Sequence, residues 1–178
     1  MLFQNIELLE TDKFQYLLIH KNGSSSVSKC IKDFNITNRI NLNKIRWTVI
    51  RDPYERFISG LKYDLKKHNL NIEEIDITEL YNYMTNVFTR ERGHIVHTSS
   101  QVSHLINTHV NWYVELKDLN LFLKIHFNQT EHCNANDENI EISIDKKEVM
   151  KYLNFDYYVY NKILNSQYLW KWQMGKIF

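Results

Sequence analysis

Residues 16–28 read YLLIHKNGSSSVS. An apolar run stops at Lys21, turns through Gly23 and continues as a string of hydroxyls. The whole chain holds only four glycines, so one placed directly after an apolar run marks a turn rather than background composition. The run FQYLLIH, residues 14–20, is therefore predicted to be a strand ended by turn chemistry. A helix is predicted over 24–34, with Val27, Ile31 and Phe34 at helical spacing and serines available as caps. Strand, turn and helix in succession are the unit from which α/β folds are assembled.

The same grammar recurs outward from this stretch. RWTVI, residues 46–50, is a second short apolar run, and a helix is predicted to begin at Pro53 with Asp52 as its N-cap. In that helix Tyr54, Phe57, Ile58, Leu61 and Leu65 form an apolar stripe, which places Asp52, Glu55, Arg56 and Ser59 on the other side. Further helices are predicted over 78–90 and 116–126, and HVNWYV just before the latter is a candidate third strand. The tail, KKEVMKYL through FDYYVYNKIL, reads as helical, with aromatics packing it onto the core. Strands alternating with helices predict a layered α/β domain with a mainly parallel sheet. No repeat, linker or low-complexity tract interrupts it, so residues 1–178 are expected to form a single domain.

Composition narrows the function classes. An apolar fraction of 43% and an aromatic fraction of 13% fit a globular chain. The net charge of +1 implies no general attraction to nucleic acid or anionic membrane, so any anion site must be local. The opening MLFQNIELLETDKF carries acids early and does not read as a secretory signal. No window approaches the roughly 18 apolar residues of a membrane span. Cys30 and Cys133 lie far apart without a CxxC, which argues against a disulfide framework or four-cysteine zinc site. Asn128-Gln129-Thr130 matches a glycosylation acceptor, a chance match in the absence of a secretion signal. A soluble cytoplasmic protein is the expectation.

HKNGSSS has the parts of an anion site at the carboxyl end of a strand. Gly23 permits close backbone approach, Ser24, Ser25 and Ser26 supply hydroxyls, and Lys21 supplies a point charge. The pattern GxxxxGKS/T is absent, because Lys21 precedes the glycine, so a nucleoside triphosphate site of that kind is disfavoured. The plainer alternative is a capped turn with incidental serines. A second stretch, WTVIRDPYERFISG (47–60), adds Arg51 at a strand end and Ser59 two helical turns further on. An arginine fork plus a hydroxyl suits a terminal phosphate. The competing role for Arg51 is an ion pair with Asp52 or Glu55.

Together the two stretches resemble the sulfotransferases that use 3′-phosphoadenylyl sulfate (PAPS). In that family a strand–loop–helix of the form PKTGGTS or PKVGxTS grips the 5′-phosphosulfate, and a later RDPxxRxxS grips the 3′-phosphate. Lys21, Asn22, Gly23, Ser24, Ser25 and Ser26 fall on the first pattern, with His20 in place of its proline. Arg51, Asp52, Pro53, Arg56 and Ser59 fall on the second. Weaker likenesses to the carbohydrate-sulfotransferase branch follow in order: HTSSQ (His97 to Gln101), WYVELKDLNLFL and YLNFDYYVY. Ser100 stands where a proline is usual, and the glycine of the third strand is missing.

The resemblance implies a P-loop-like three-layer fold, with a short mainly parallel sheet flanked by helices. It implies transfer of a sulfuryl group from PAPS to a hydroxyl acceptor, a carbohydrate by this branch, with 3′-phosphoadenosine 5′-phosphate (PAP) left behind. Such in-line displacement is mostly positioning and charge stabilisation. Lys21 is placed to offset charge on the leaving phosphate. His97 is the candidate proton acceptor, with His94 and His20 behind it and Gln101 as an orienting group. Asp52 and Glu55 are better explained as cap and helix-dipole residues. HIVH (94–97) with His132 and Cys133 suggests a metal, yet no HExxH or acidic partner accompanies it, and no metal or nucleic acid is expected. Trp170 and Trp172 fit core packing better than sugar stacking. Two alternatives stay open: an inactive PAP-binding module of the same fold, and a P-loop-related kinase, which the missing Walker lysine disfavours.

Overall fold

The structure is a computed structural model that describes residues 7–74, 80, 100–105, 108–129, 142 and 144–171. In chain order its elements are β1 (Leu8–Glu10), β2 (Phe14–Leu17), α1 (Ser24–Cys30), β3 (Asn35–Thr37), β4 (Ile45–Ile50) and α2 (Pro53–His68). There follow α3 (Val102–Leu105), β5 (Trp112–Glu115), α4 (Leu119–Phe127), α5 (Lys146–Tyr152) and α6 (Asn154–Leu164). The chain divides into two compact units: Met1–Ile50 with Asn107–Ala135 and Ile163–Phe178, and Arg51–Ile106 with Asn136–Lys162. It passes from the first to the second at the end of β4.

The first unit holds the sheet, five strands in the order β3-β1-β2-β4-β5. β2, β4 and β5 run parallel, while β1 pairs antiparallel with both β2 and β3. The fold is therefore α/β with helices flanking a mixed sheet, not the mainly parallel sheet expected. The difference lies in β1 and β3, each three residues long, too short for a period-two pattern to register in sequence. Period-two alternation does govern β2 and β4: Tyr16, Trp47 and Val49 face one side and join Val27, Cys30 and Ile31 after the turn, Phe122 and Leu123 of α4, and Trp170 in one core. Trp47 anchors it, with ring centroids 4.6 Å from Tyr16 and 4.5 Å from Phe122. On the other side Gln15 and Arg46 are buried and bind the loop between β3 and β4, Gln15 Nε2 donating to the Arg39 carbonyl at 2.9 Å and Arg46 Nη1 to that of Asn41 at 3.1 Å.

α1 ends at Cys30, four residues short of the predicted boundary. Ile31 is extended and Asp33 is left-handed at φ 60°, yet Ile31 still reaches the core, which is why it counted towards a helical pattern. The segment after α6 returns to the sheet beside β5. Tyr113 N donates to Tyr168 O and Trp170 N to Tyr113 O, both at 2.8 Å, and the Trp170 indole donates to His126 Nε2 at 3.1 Å. Trp170 is thus a core residue, as its aromatic setting in sequence suggested.

The second unit is organised by α2, which starts where Pro53 and Asp52 place it. Asp52 Oδ1 accepts from Tyr54 N at 3.0 Å and Glu55 N at 3.1 Å, and left-handed Asn69 (φ 51°) ends the helix. Phe57, Leu61 and Leu65 pack with Leu80, Val149 and Leu153. Arg56 is not on an open polar face as the stripe predicted; it is 2% exposed. The helix expected over 78–90 lies outside the described residues apart from Leu80, as do His94, His97, His132, Cys133 and Trp172. Among the described residues no helix is long and apolar enough to cross a membrane.

Candidate functional site

The turn between β2 and α1 is built by backbone conformation before any side chain acts. Lys21 at φ 63° and Gly23 at φ 81° are both left-handed, on either side of Asn22. Gly23 is required twice over: its φ disfavours a side chain, and a Cβ there would come within 2.8 Å of Leu119 Cδ2 and 2.9 Å of Leu116 Cδ1. Asn22 is fully buried, and its Nδ2 donates 2.8 Å to the carbonyl of Val49. That bond fastens the turn to the carboxyl end of the neighbouring parallel strand β4. Within the turn, Lys21 and Ser24 are half-buried, Ser25 is exposed and Ser26 is half-buried. α1 receives no side-chain cap from Gly23, and its first turn is made of Ser24, Ser25 and Ser26. Ser28 hydroxyl donates back to Ser24 O at 2.9 Å and takes no part in the turn. His20, a runner-up base, is exposed.

The second candidate stretch opens the second unit. Arg51 is half-buried, with its Nε 3.5 Å from Glu55 Oε2 one helical turn on. Glu55 is 64% exposed, and an ion pair of that kind is worth under about 1 kcal/mol. Asp52 is committed to structure: besides two amides of α2, its carboxylate accepts the Tyr157 hydroxyl at 3.1 and 3.2 Å. Burial first, and then Asp52, push the Tyr157 hydroxyl up to about 12, so it stays a donor. Ser59 is half-buried on α2.

Behind Arg51 lies a buried polar cluster. Asp156 of α6 is 3% exposed and accepts Ser100 Oγ at 2.5 Å and Gln101 N at 2.9 Å. Gln101 Nε2 in turn donates 3.0 Å to the carbonyl of Arg51. Burial raises the Asp156 carboxyl above the usual carboxylate range, against the lowering influence of Ser100, the Arg56 guanidinium and the amides of Gln101 and Val102. Arg56 is pulled down to about 10, by burial chiefly and by the Arg51 charge, with Asp156 opposing. Two arginines and one acid thus feel each other at the start of α2, where Asp52 and Glu55 also stand.

The sequence named Lys21 to Ser26, Arg51 and Ser59. The structure keeps the first six in one turn of the first unit, and Arg51 and Ser59 on the opening of the second. His97 lies outside the described residues. Asp156 and Tyr157 fall within YLNFDYYVY, which carried one of the weaker sequence likenesses, but neither was given a role in the site. Sequence reasoning gave Gln101 a possible orienting role, and the structure gives it a definite partner, the Arg51 backbone. Two other cavities are separate from these residues. One of about 430 Å³ lies at the far end of β2, lined by Phe14, Ile31 and Phe127; another of about 630 Å³ lies at the end of α2 around Asn69. No protein-family model, curated protein or solved structure matches this chain.

Proposed function

We propose that the protein is a sulfotransferase that moves the sulfuryl group of PAPS to a hydroxyl acceptor, a carbohydrate by the branch it resembles. The observation that carries this is the bond from Asn22 Nδ2 to Val49 O. It ties the lysine–glycine–serine turn to the end of β4, two residues before Arg51, so the two anion motifs follow adjacent ends of neighbouring parallel strands. That is where ligands of α/β sheets bind. A capped structural turn alone would not require a buried asparagine to reach the next strand.

In this reading Lys21, Gly23, Ser24, Ser25 and Ser26 bind the 5′-phosphosulfate, and buried Asn22 holds their turn to β4. Arg51 and Ser59 bind the 3′-phosphate, and the Arg51 guanidinium exchanges Glu55 for two phosphate oxygens. Lys21 offsets the charge gained by the departing phosphate oxygen. The sulfur–oxygen bond to PAP breaks as the acceptor oxygen bonds to sulfur, and His97 takes the acceptor's proton. No metal has a step in this scheme.

The test is binding followed by turnover. PAP should raise the melting temperature of the wild-type chain, and Arg51→Ala should reduce the rise to that given by 5′-AMP. Absence of any rise at saturating PAP sinks the proposal. Binding without transfer to any glycan or small hydroxyl acceptor favours the second possibility, an inactive nucleotide-binding module.

A further inference from the structure

Of two consecutive residues of α6, Tyr157 reaches Asp52 directly and Asp156 reaches Arg51 through Gln101; Arg51 and Asp52 are the two residues just before α2. Tyr157 donates its hydroxyl to the Asp52 carboxylate, and Asp156 holds Gln101, whose amide meets the Arg51 carbonyl. These contacts join positions about a hundred residues apart in sequence, from three separate segments. Asp156 is also costly to bury: its charge is removed from water, and burial is the largest influence on it. A neutral residue would pack an aromatic helix with less strain on solvation, so an acid here needs a reason beyond filling space.

Its hydrogen bonds supply one. The Asp156 carboxylate takes Ser100 Oγ and Gln101 N, which fixes the backbone from which the Gln101 side chain projects. Gln101 is 2% exposed and so has little freedom once its amide is held. Its Nε2 then fixes the carbonyl of Arg51, and with it the direction in which the Arg51 side chain leaves the backbone. The Arg56 guanidinium shares the Asp156 field and pushes on Arg51 from within α2. We infer that Asp156 is a positioning residue for Arg51, acting through Gln101, and sets the selectivity of this helix start for a phosphate monoester on the ribose 3′ position. The inference rests on the sulfotransferase reading, in which Arg51 binds that phosphate. Asp156 itself touches no ligand.

A role limited to holding the fold would weaken every ligand alike. A positioning role acts on the 3′-phosphate alone, so the readout is the affinity of PAP relative to 5′-AMP, measured by calorimetry on the full chain. Wild type should favour PAP. Asp156→Ala and Gln101→Met should each lower the PAP-to-AMP ratio by roughly ten-fold, the loss of one charge-assisted or well-placed hydrogen bond, with AMP affinity unchanged. Asp156→Asn, which still offers an oxygen to Gln101 N, should restore most of the ratio. An unchanged ratio in Gln101→Met overturns the inference even if Asp156→Ala fails to fold, and so does an equal loss for both nucleotides. A wild-type chain that does not distinguish PAP from AMP overturns the sulfotransferase reading as well. Selectivity kept in the variants removes the Asp156 role alone.

Discussion

At Arg51 the chain places a charge where its neighbours contend for it. Glu55 sits one turn along α2 with its carboxylate 3.5 Å from Arg51 Nε, and it is largely in solvent. In the proposed function this carboxylate is a competitor of the 3′-phosphate, displaced on each binding event. Glu55→Gln should therefore strengthen PAP binding by a few-fold, on the order of the half kcal/mol such exposed pairs contribute. Titration calorimetry at low and moderate salt would show it, and weaker binding by the variant would instead assign Glu55 to the ligand. The second stretch by itself favoured an ion pair for Arg51, and only the family resemblance assigned it to the 3′-phosphate. A motif names residue types, whereas the side chain's present partner depends on rotamer and on Gln101 arriving from 50 residues away.

Among the elements, the segment after α6 is held to α4 by a titratable contact. His126 Nε2 accepts the Trp170 indole proton, so this imidazole must be neutral at that nitrogen. Phe14, Trp112 and Phe122 surround the ring, and burial is the single resolved cause that lowers its proton affinity. The sign follows from linkage. The unfolded chain binds this proton more readily, so the stabilisation is complete above the unfolded value of 6.5 and declines as the pH falls through it. Denaturant midpoints measured from pH 8 to pH 5 should fall, and His126→Phe should flatten part of the slope. A slope identical in the two proteins would remove His126 from the account. This contact was invisible in sequence, because the predicted helix over 116–126 ends at the very residue that makes it.

Across the whole molecule, legibility tracked the length of the pattern. β2, β4, β5, α2, α4 and the two tail helices each carry several residues of consistent period or a cap, and each was anticipated within a few residues. β1 and β3 carry three residues apiece and were not. Asn22 and Gly23 were legible as turn residues, but the strand that Asn22 clasps could be learned only from the pairing of β2 with β4. Arg56 was misplaced because the buried side of α2 is wider than its apolar stripe: Arg56, Gly60 and Asp64, spaced four apart, are buried as well, while Glu55 stays in solvent.

The return of Tyr168 to Trp170 beside β5 has a practical bearing on handling. These residues satisfy both backbone groups of Tyr113 and occupy a flank where another chain's strand would otherwise dock. Chains shortened to end before Tyr168 should accordingly gather into larger species at concentrations where the intact chain stays monodisperse, with light scattering as the gauge. Equal scattering would mean that something else shields that border.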